Sequence, residues 1–132
     1  MYHPRHVMLR TRILLLWMVP SLAACGAPKA GASCMLEDRY ACESAAVAIE
    51  CRAKVWRELP CKGPKGCVSS GGQVTCDITR DVAGDACGIG AEGAGICTVD
   101  GHAVLECREG VLVQTKLCPT ACSGDEVHLS CH

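Results

Sequence analysis

Aromatic residues are almost missing from this chain. It has no phenylalanine, and beyond residue 33 it keeps only Tyr40 and Trp56. Aromatic side chains bury about 150–250 Å² each and dominate ordinary cores, so a conventional large core is excluded. No C-x-x-C occurs, the closest spacing being Cys118 to Cys122; that removes the usual motif of dithiol redox proteins and leaves only a formal match to structural zinc. The histidines beyond residue 33 are His102, His128 and His132, too scattered to make a metal site by spacing. No basic stripe is interleaved with stacking aromatics, which argues against nucleic acid as a partner. Ser33, Ser44, Ser69, Ser70, Ser123 and Ser130 lie in no nucleophile elbow. Asp81, Asp85, Glu92 and Asp100 do not follow a calcium-loop pattern. The expectation is a non-enzyme without a cofactor or metal.

Acidic residues are also missing from the start: none precedes Glu37, while Arg5, Arg10 and Arg12 are basic. An apolar run, Ile13 to Val19, follows and is broken by Pro20-Ser21. It falls short of the roughly 20 residues a helix needs to span a bilayer. A basic start, a short apolar run and a small-residue exit form a secretory signal. The exit, Leu22-Ala23-Ala24-Cys25, resembles the lipobox of bacterial lipoproteins. That resemblance implies removal of residues 1–24 and a diacylglycerol carrying palmitate-type chains on the Cys25 thiol. Gly26 stands where an Asp tends to retain such proteins at the inner membrane, so the resemblance implies a cell-envelope location at the outer membrane. Two or more acyl chains hold a protein firmly where one holds it marginally.

Cysteine is what the chain has in plenty. There are 13, and an odd number in an exported protein needs a separate explanation. Assigning Cys25 to the anchor leaves an even set in an oxidising compartment. Ordering each residue costs about 1–2 kcal/mol of backbone entropy, which a sparse aliphatic core struggles to offset. Disulfides at about 2–4 kcal/mol each are the expected main support, so reduction should unfold the chain.

The remaining cysteines fall into two sets of six: Cys34, Cys42, Cys51, Cys61, Cys67 and Cys76, then Cys87, Cys97, Cys107, Cys118, Cys122 and Cys131. Ile49-Glu50-Cys51-Arg52 aligns with Leu105-Glu106-Cys107-Arg108, and Val55 with Val111. An internal duplication follows, one supersecondary unit per copy. The predicted organisation is a signal at 1–24, the lipidated cysteine and a flexible tether at 25–33, a first cysteine-rich module at 34–77, a linker at 78–86, and a second module at 87–132.

Each module reads as a small antiparallel meander of about 45 residues, giving a disulfide-rich all-β fold. The predicted strands are Tyr40–Ser44, Val47–Cys51, Val55–Leu59 and Gln73–Cys76, with a Ser70-Gly71-Gly72 turn before the last. In the second copy they are Ile96–Val99, His102–Cys107, Val111–Thr115 and Glu126–Cys131. Asp100-Gly101 there signals a two-residue hairpin turn, and Glu109-Gly110 a second turn. Helix is the rival over 41–57, but the β-branched duplicate argues against it. Six cysteines allow fifteen pairings per copy, and spacing does not choose among them.

The run Glu50-Cys51, Cys61, Gly63-Pro64-Lys65-Gly66-Cys67 and Val74-Thr75-Cys76-Asp77 resembles short cysteine-rich lipoproteins of myxobacterial type, which carry no established activity. The second copy departs from it, because Pro119-Thr120-Ala121-Cys122 lacks both glycines. A weaker similarity links the Cys107–Cys118 segment to peritrophin-type chitin-binding modules, though the second copy lacks the aromatics that stack on sugars there.

Charge differs between the copies: six basic and five acidic residues over 34–76, two basic and six acidic over 87–132. Trp56 is the first candidate for ligand contact, with Arg52, Lys54, Arg57, Lys62 and Lys65 around it. The expected role is a binding module for polysaccharide or another envelope component, attached to the membrane by Cys25. A protein-interaction or inhibitor module presenting the Lys62–Lys65 loop, and a structural envelope lipoprotein without a discrete ligand, are the alternatives.

Overall fold

A computed structural model describes residues 26–125 and 128–132; the expected signal and Cys25 lie outside the described residues. The fold is all-β, antiparallel and crossed by six disulfides. Strands β1 (Tyr40–Ser44), β2 (Val47–Arg52) and β3 (Val55–Pro60) form one sheet in sequence order. Strands β4 (Cys67–Ser70) and β5 (Gln73–Cys76) form a hairpin beside it. The pattern repeats in β6 (Gly95–Cys97), β7 (Ala103–Arg108) and β8 (Val111–Leu117), followed by the β9 (Cys122–Gly124) and β10 (Leu129–Cys131) pair. The short strands β4 and β9 escape the sequence reading, because three or four residues beside a cysteine carry no alternation to detect.

The two copies share one disulfide pattern. First joins third (Cys34–Cys51, Cys87–Cys107), second joins fifth (Cys42–Cys67, Cys97–Cys122), and fourth joins sixth (Cys61–Cys76, Cys118–Cys131). All six lie within a copy. Each core is correspondingly thin. Ala48, Leu59, Cys61 and Cys67 make the first; Cys87, Ile96, Leu105, Cys107 and Leu112 make the second. The linker stitches them together: Ile78 packs on the second core and Ala86 on the first.

The turns follow from local chemistry. Ala53 and Lys54 take φ of 53° and 61°, and Glu109 and Gly110 take 51° and 80°. Both central residues are left-handed, as a type I′ hairpin demands. Three of the four are not glycine and bear that strain. A carboxylate supports each turn: Glu37 accepts the Ala53 and Lys54 amides at 2.9 and 2.8 Å, and Glu92 accepts the Glu109 amide at 2.9 Å.

The Asp100-Gly101 turn differs from expectation. Only Gly101 has positive φ, and the Gly101 amide donates to the Thr98 carbonyl at 2.8 Å. Asp100 accepts from the Thr98 hydroxyl at 2.6 Å and the His102 amide at 3.0 Å. An aspartate so engaged stays at negative φ and lengthens the loop to Thr98–His102, so the strands stop at Cys97 and restart at Ala103.

The tether also differs. The Gly31 amide donates to the Trp56 carbonyl at 2.8 Å, and the Trp56 amide to the Ala32 carbonyl at 2.9 Å. Residues from Lys29 onward therefore strap the free edge of β3. Gly84 to Cys87 strap β8 in the same way, through Leu112 and Gly110. Covering an edge strand satisfies its open amides and carbonyls.

Candidate functional site

Strand β2 alternates, so Ile49 and Cys51 point to one face and Glu50 and Arg52 to the other. The first pair is fully buried, with Cys51 in its bridge to Cys34. The second pair meets the other module, and Glu50 ends with no exposed surface. A buried carboxylate must be paired and hydrogen-bonded. The Tyr40 hydroxyl donates to Glu50 Oε1 at 2.6 Å, and the Ile89 amide donates to the same oxygen at 2.9 Å. Arg52 lies 3.3 Å from Oε2. The Gly90 amide completes the node by donating to the Tyr40 hydroxyl at 3.3 Å. Burial, and then the donated bond to Glu50, holds the Tyr40 phenol above its ordinary range. Gly110 is glycine for a close approach: a Cβ there would overlap the Arg52 guanidinium.

The linker is held by carboxylates. Asp77 accepts the Lys65 amide at 3.0 Å, Asp81 the Lys62 amide at 3.1 Å, and Asp85 the Lys62 ammonium at 2.6 Å. Thr79, through its hydroxyl, and the Lys65 amide hold Asp77 below the usual carboxylate range. Burial pushes Asp85 up, but the Lys62 ammonium and the Val82 amide together outweigh it and leave the group lowered. Asp81 is 1% exposed, its Oδ2 has no hydrogen-bond partner among the described residues, and burial pushes it up to about 6. The Gly63-Pro64-Lys65-Gly66 motif has a structural reason. A Cβ on Gly63 would overlap the Asp77 carboxylate, and Gly66, at φ 60°, faces the Ala45 carbonyl.

Trp56 is half-buried and lines two hollows. One, of about 680 Å³, lies between the modules: Arg52, Ala53, Arg57 and Glu58 line it from the first, Ala86, Glu109, Gly110 and Val111 from the other side. The second, of about 460 Å³, is lined by Pro28, Met35, Leu36, Arg39, Tyr40 and Ala41. Trp56, Arg52 and Arg57 thus line one groove. Lys54 sits at the β2–β3 turn and lines neither hollow, and neither do Lys62 and Lys65. Lys62 is engaged by Asp85, and Lys65 offers its backbone to Asp77.

The groove is lined by one aromatic residue and two arginines, of which Arg52 is already paired with Glu50. Sequence reasoning used the Glu-Cys-Arg repeat as a mark of duplication and missed Glu50 as a site residue. The available signal was two opposite charges at i and i+2 of a strand beside a buried cysteine. Among the described residues, no group of three His, Cys, Asp or Glu side chains is placed to hold a metal ion. No helix among the described residues is long and apolar enough to cross a membrane. Comparison with known protein families, curated proteins and solved structures finds no match.

Proposed function

We propose that the chain is an exported lipoprotein, acylated at Cys25, that serves at the outer membrane as a non-catalytic binding module for an envelope polysaccharide. The observation that carries the binding reading is the grouping of Trp56 with Arg52 and Arg57 in one open groove between the modules. An indole and two guanidinium groups suit an anionic glycan, which offers ring faces and carboxylates or phosphates together. The Cys25 part of the reading is carried by the Leu22–Cys25 box and by cysteine parity.

The test is glycan-array binding by the full chain, processed in a lipoprotein-exporting bacterium, beside Trp56→Ala and Arg57→Ala. Binding lost in both variants supports the polysaccharide reading. Binding absent from the parent, with six bridges verified by intact mass, rejects it. A protein-interaction role is the second reading, favoured by Val111, Val113 and Leu117, which are 40%, 42% and 70% exposed along β8. In-cell cross-linking from a photoreactive residue at Val113 would recover that partner. Failure of both assays leaves a structural envelope lipoprotein.

A further inference from the structure

The segment after the first cysteine has different surroundings in the two copies. In the second, Gly88 to Gly90 docks on the first module: the Ile89 amide reaches Glu50, and Gly88 lies against Tyr40 and Leu59. In the first, the same place is Met35-Leu36, and no described residue covers it. Met35 is 96% exposed and Leu36 62%. They line one hollow with Pro28, Trp56, Ala41 and Arg39. Large apolar side chains projecting together from a small protein mark a contact surface.

The chain itself selects the occupant. Pro28 is part of the hollow's wall, and only Gly26 and Ala27 separate it from Cys25. Three residue steps at about 3.6 Å each keep the Cys25 backbone within roughly 11 Å of that wall. The strap pins the segment just beyond: Ala32 and Gly31 are bonded to Trp56. An acyl chain on Cys25 therefore brings the hollow to the headgroup layer, leaving no room for a folded partner between them. Basic groups stand near the hollow, with the exposed Asp38 among them. Arg39 lines the hollow, and Lys29 and Lys54 flank it along the chain. The nearby Glu37 carboxylate is turned to the Ala53 and Lys54 amides.

We propose that the Met35–Leu36 hollow is a second membrane contact, laid on the bilayer surface beside the Cys25 lipid and fixing the orientation of both modules above it. The inference rests on the lipoprotein reading. Trp56 lines this hollow and the inter-module groove alike, so the glycan-binding groove would open at the membrane surface.

Met35 is the only methionine beyond residue 18, and it reports its own environment. Oxidation converts its thioether to a polar sulfoxide with a fixed mass gain. The protein, matured in cells, is placed in vesicles of phosphatidylcholine and phosphatidylglycerol and exposed to hydrogen peroxide, with free methionine in the same tube as reference. The inference expects Met35 to oxidise several-fold more slowly than free methionine on vesicles, and Leu36→Ser to remove most of that protection. Leu36 is exposed, so the variant keeps its fold, checked by the bridge count. Oxidation at the free-methionine rate, in protein whose intact mass shows an acylated Cys25, overturns the inference and leaves the anchor standing. A mass showing unmodified Cys25 instead rejects the anchor. Protection on vesicles would then still support the patch as a lipid contact, and its absence would reject both.

Discussion

The tripeptide Glu-Cys-Arg occurs once in each module, and the two copies use it differently. Glu106 and Arg108 pair at 3.1 Å on the surface, 29% and 57% exposed. Glu50 and Arg52 occupy the same strand positions, yet Glu50 is sealed under the second module. The cysteine between them does the same work in both copies, bonding to the first cysteine of its set. Duplication therefore preserves the bridge, and context decides what the flanking Glu and Arg do: in the first module they lie at the contact with the second, and in the second they stay at the surface.

That contrast is broken most strongly by Glu50→Ala. It leaves the Ile89 amide, the Tyr40 hydroxyl and Arg52 without their shared acceptor, and breaking a buried pair costs about 3–5 kcal/mol. Urea unfolding should show that loss. A loss below about 1 kcal/mol would mean that the node does not hold the modules together.

A pH titration of stability sharpens the comparison next, because Asp81 belongs to the linker between the two modules and is buried. Its folded pKa is raised to about 6, so the folded state holds the proton more tightly than the unfolded chain. Its contribution is neutral below about pH 4. It becomes increasingly unfavourable up to about pH 6 and is constant above that, for a fall of roughly 3 kcal/mol. Asp81→Asn should remove that fall. Parallel curves for parent and variant between pH 4 and 7 would contradict the burial of this carboxylate.

Gly110→Ala is a smaller perturbation, about 1–2 kcal/mol, since a left-handed residue gains a Cβ where the Arg52 guanidinium lies. Paired with Arg52→Ala, the loss should shrink toward the backbone share alone. The smallest effect belongs to Glu106→Ala, about 0–1 kcal/mol as for exposed ion pairs; a loss as large as that of Glu50→Ala would erase the contrast between the copies.

Much of this architecture was legible in the cysteines. Their two sets of six, with Glu50 and Glu106 in register, point to repeated β modules, and strands β1 to β3 fall where correspondence with the second copy places them. The linkage pattern was not legible, because spacing constrains only which cysteines can approach, and approach depends on the sheet. The two-residue turn expected at Asp100-Gly101 dissolved once Thr98 and His102 claimed the Asp100 carboxylate. At the site, Trp56 and Arg57 stood out as an aromatic and a charge on one exposed strand. Glu50 did not, because its role comes from Ile89, 39 residues away in the chain. Lys62 and Lys65 looked like a free basic loop in sequence; the aspartates that engage the loop lie in the linker, where an i, i+4, i+8 spacing gave no hint of their target.

The account rests on one module used twice, and proteolysis of the unreduced protein followed by mass spectrometry of the linked peptides tests it most directly. It predicts Cys34–Cys51, Cys42–Cys67 and Cys61–Cys76, repeated as Cys87–Cys107, Cys97–Cys122 and Cys118–Cys131. A bridge joining the two sets, or different pairings in the two halves, would contradict it.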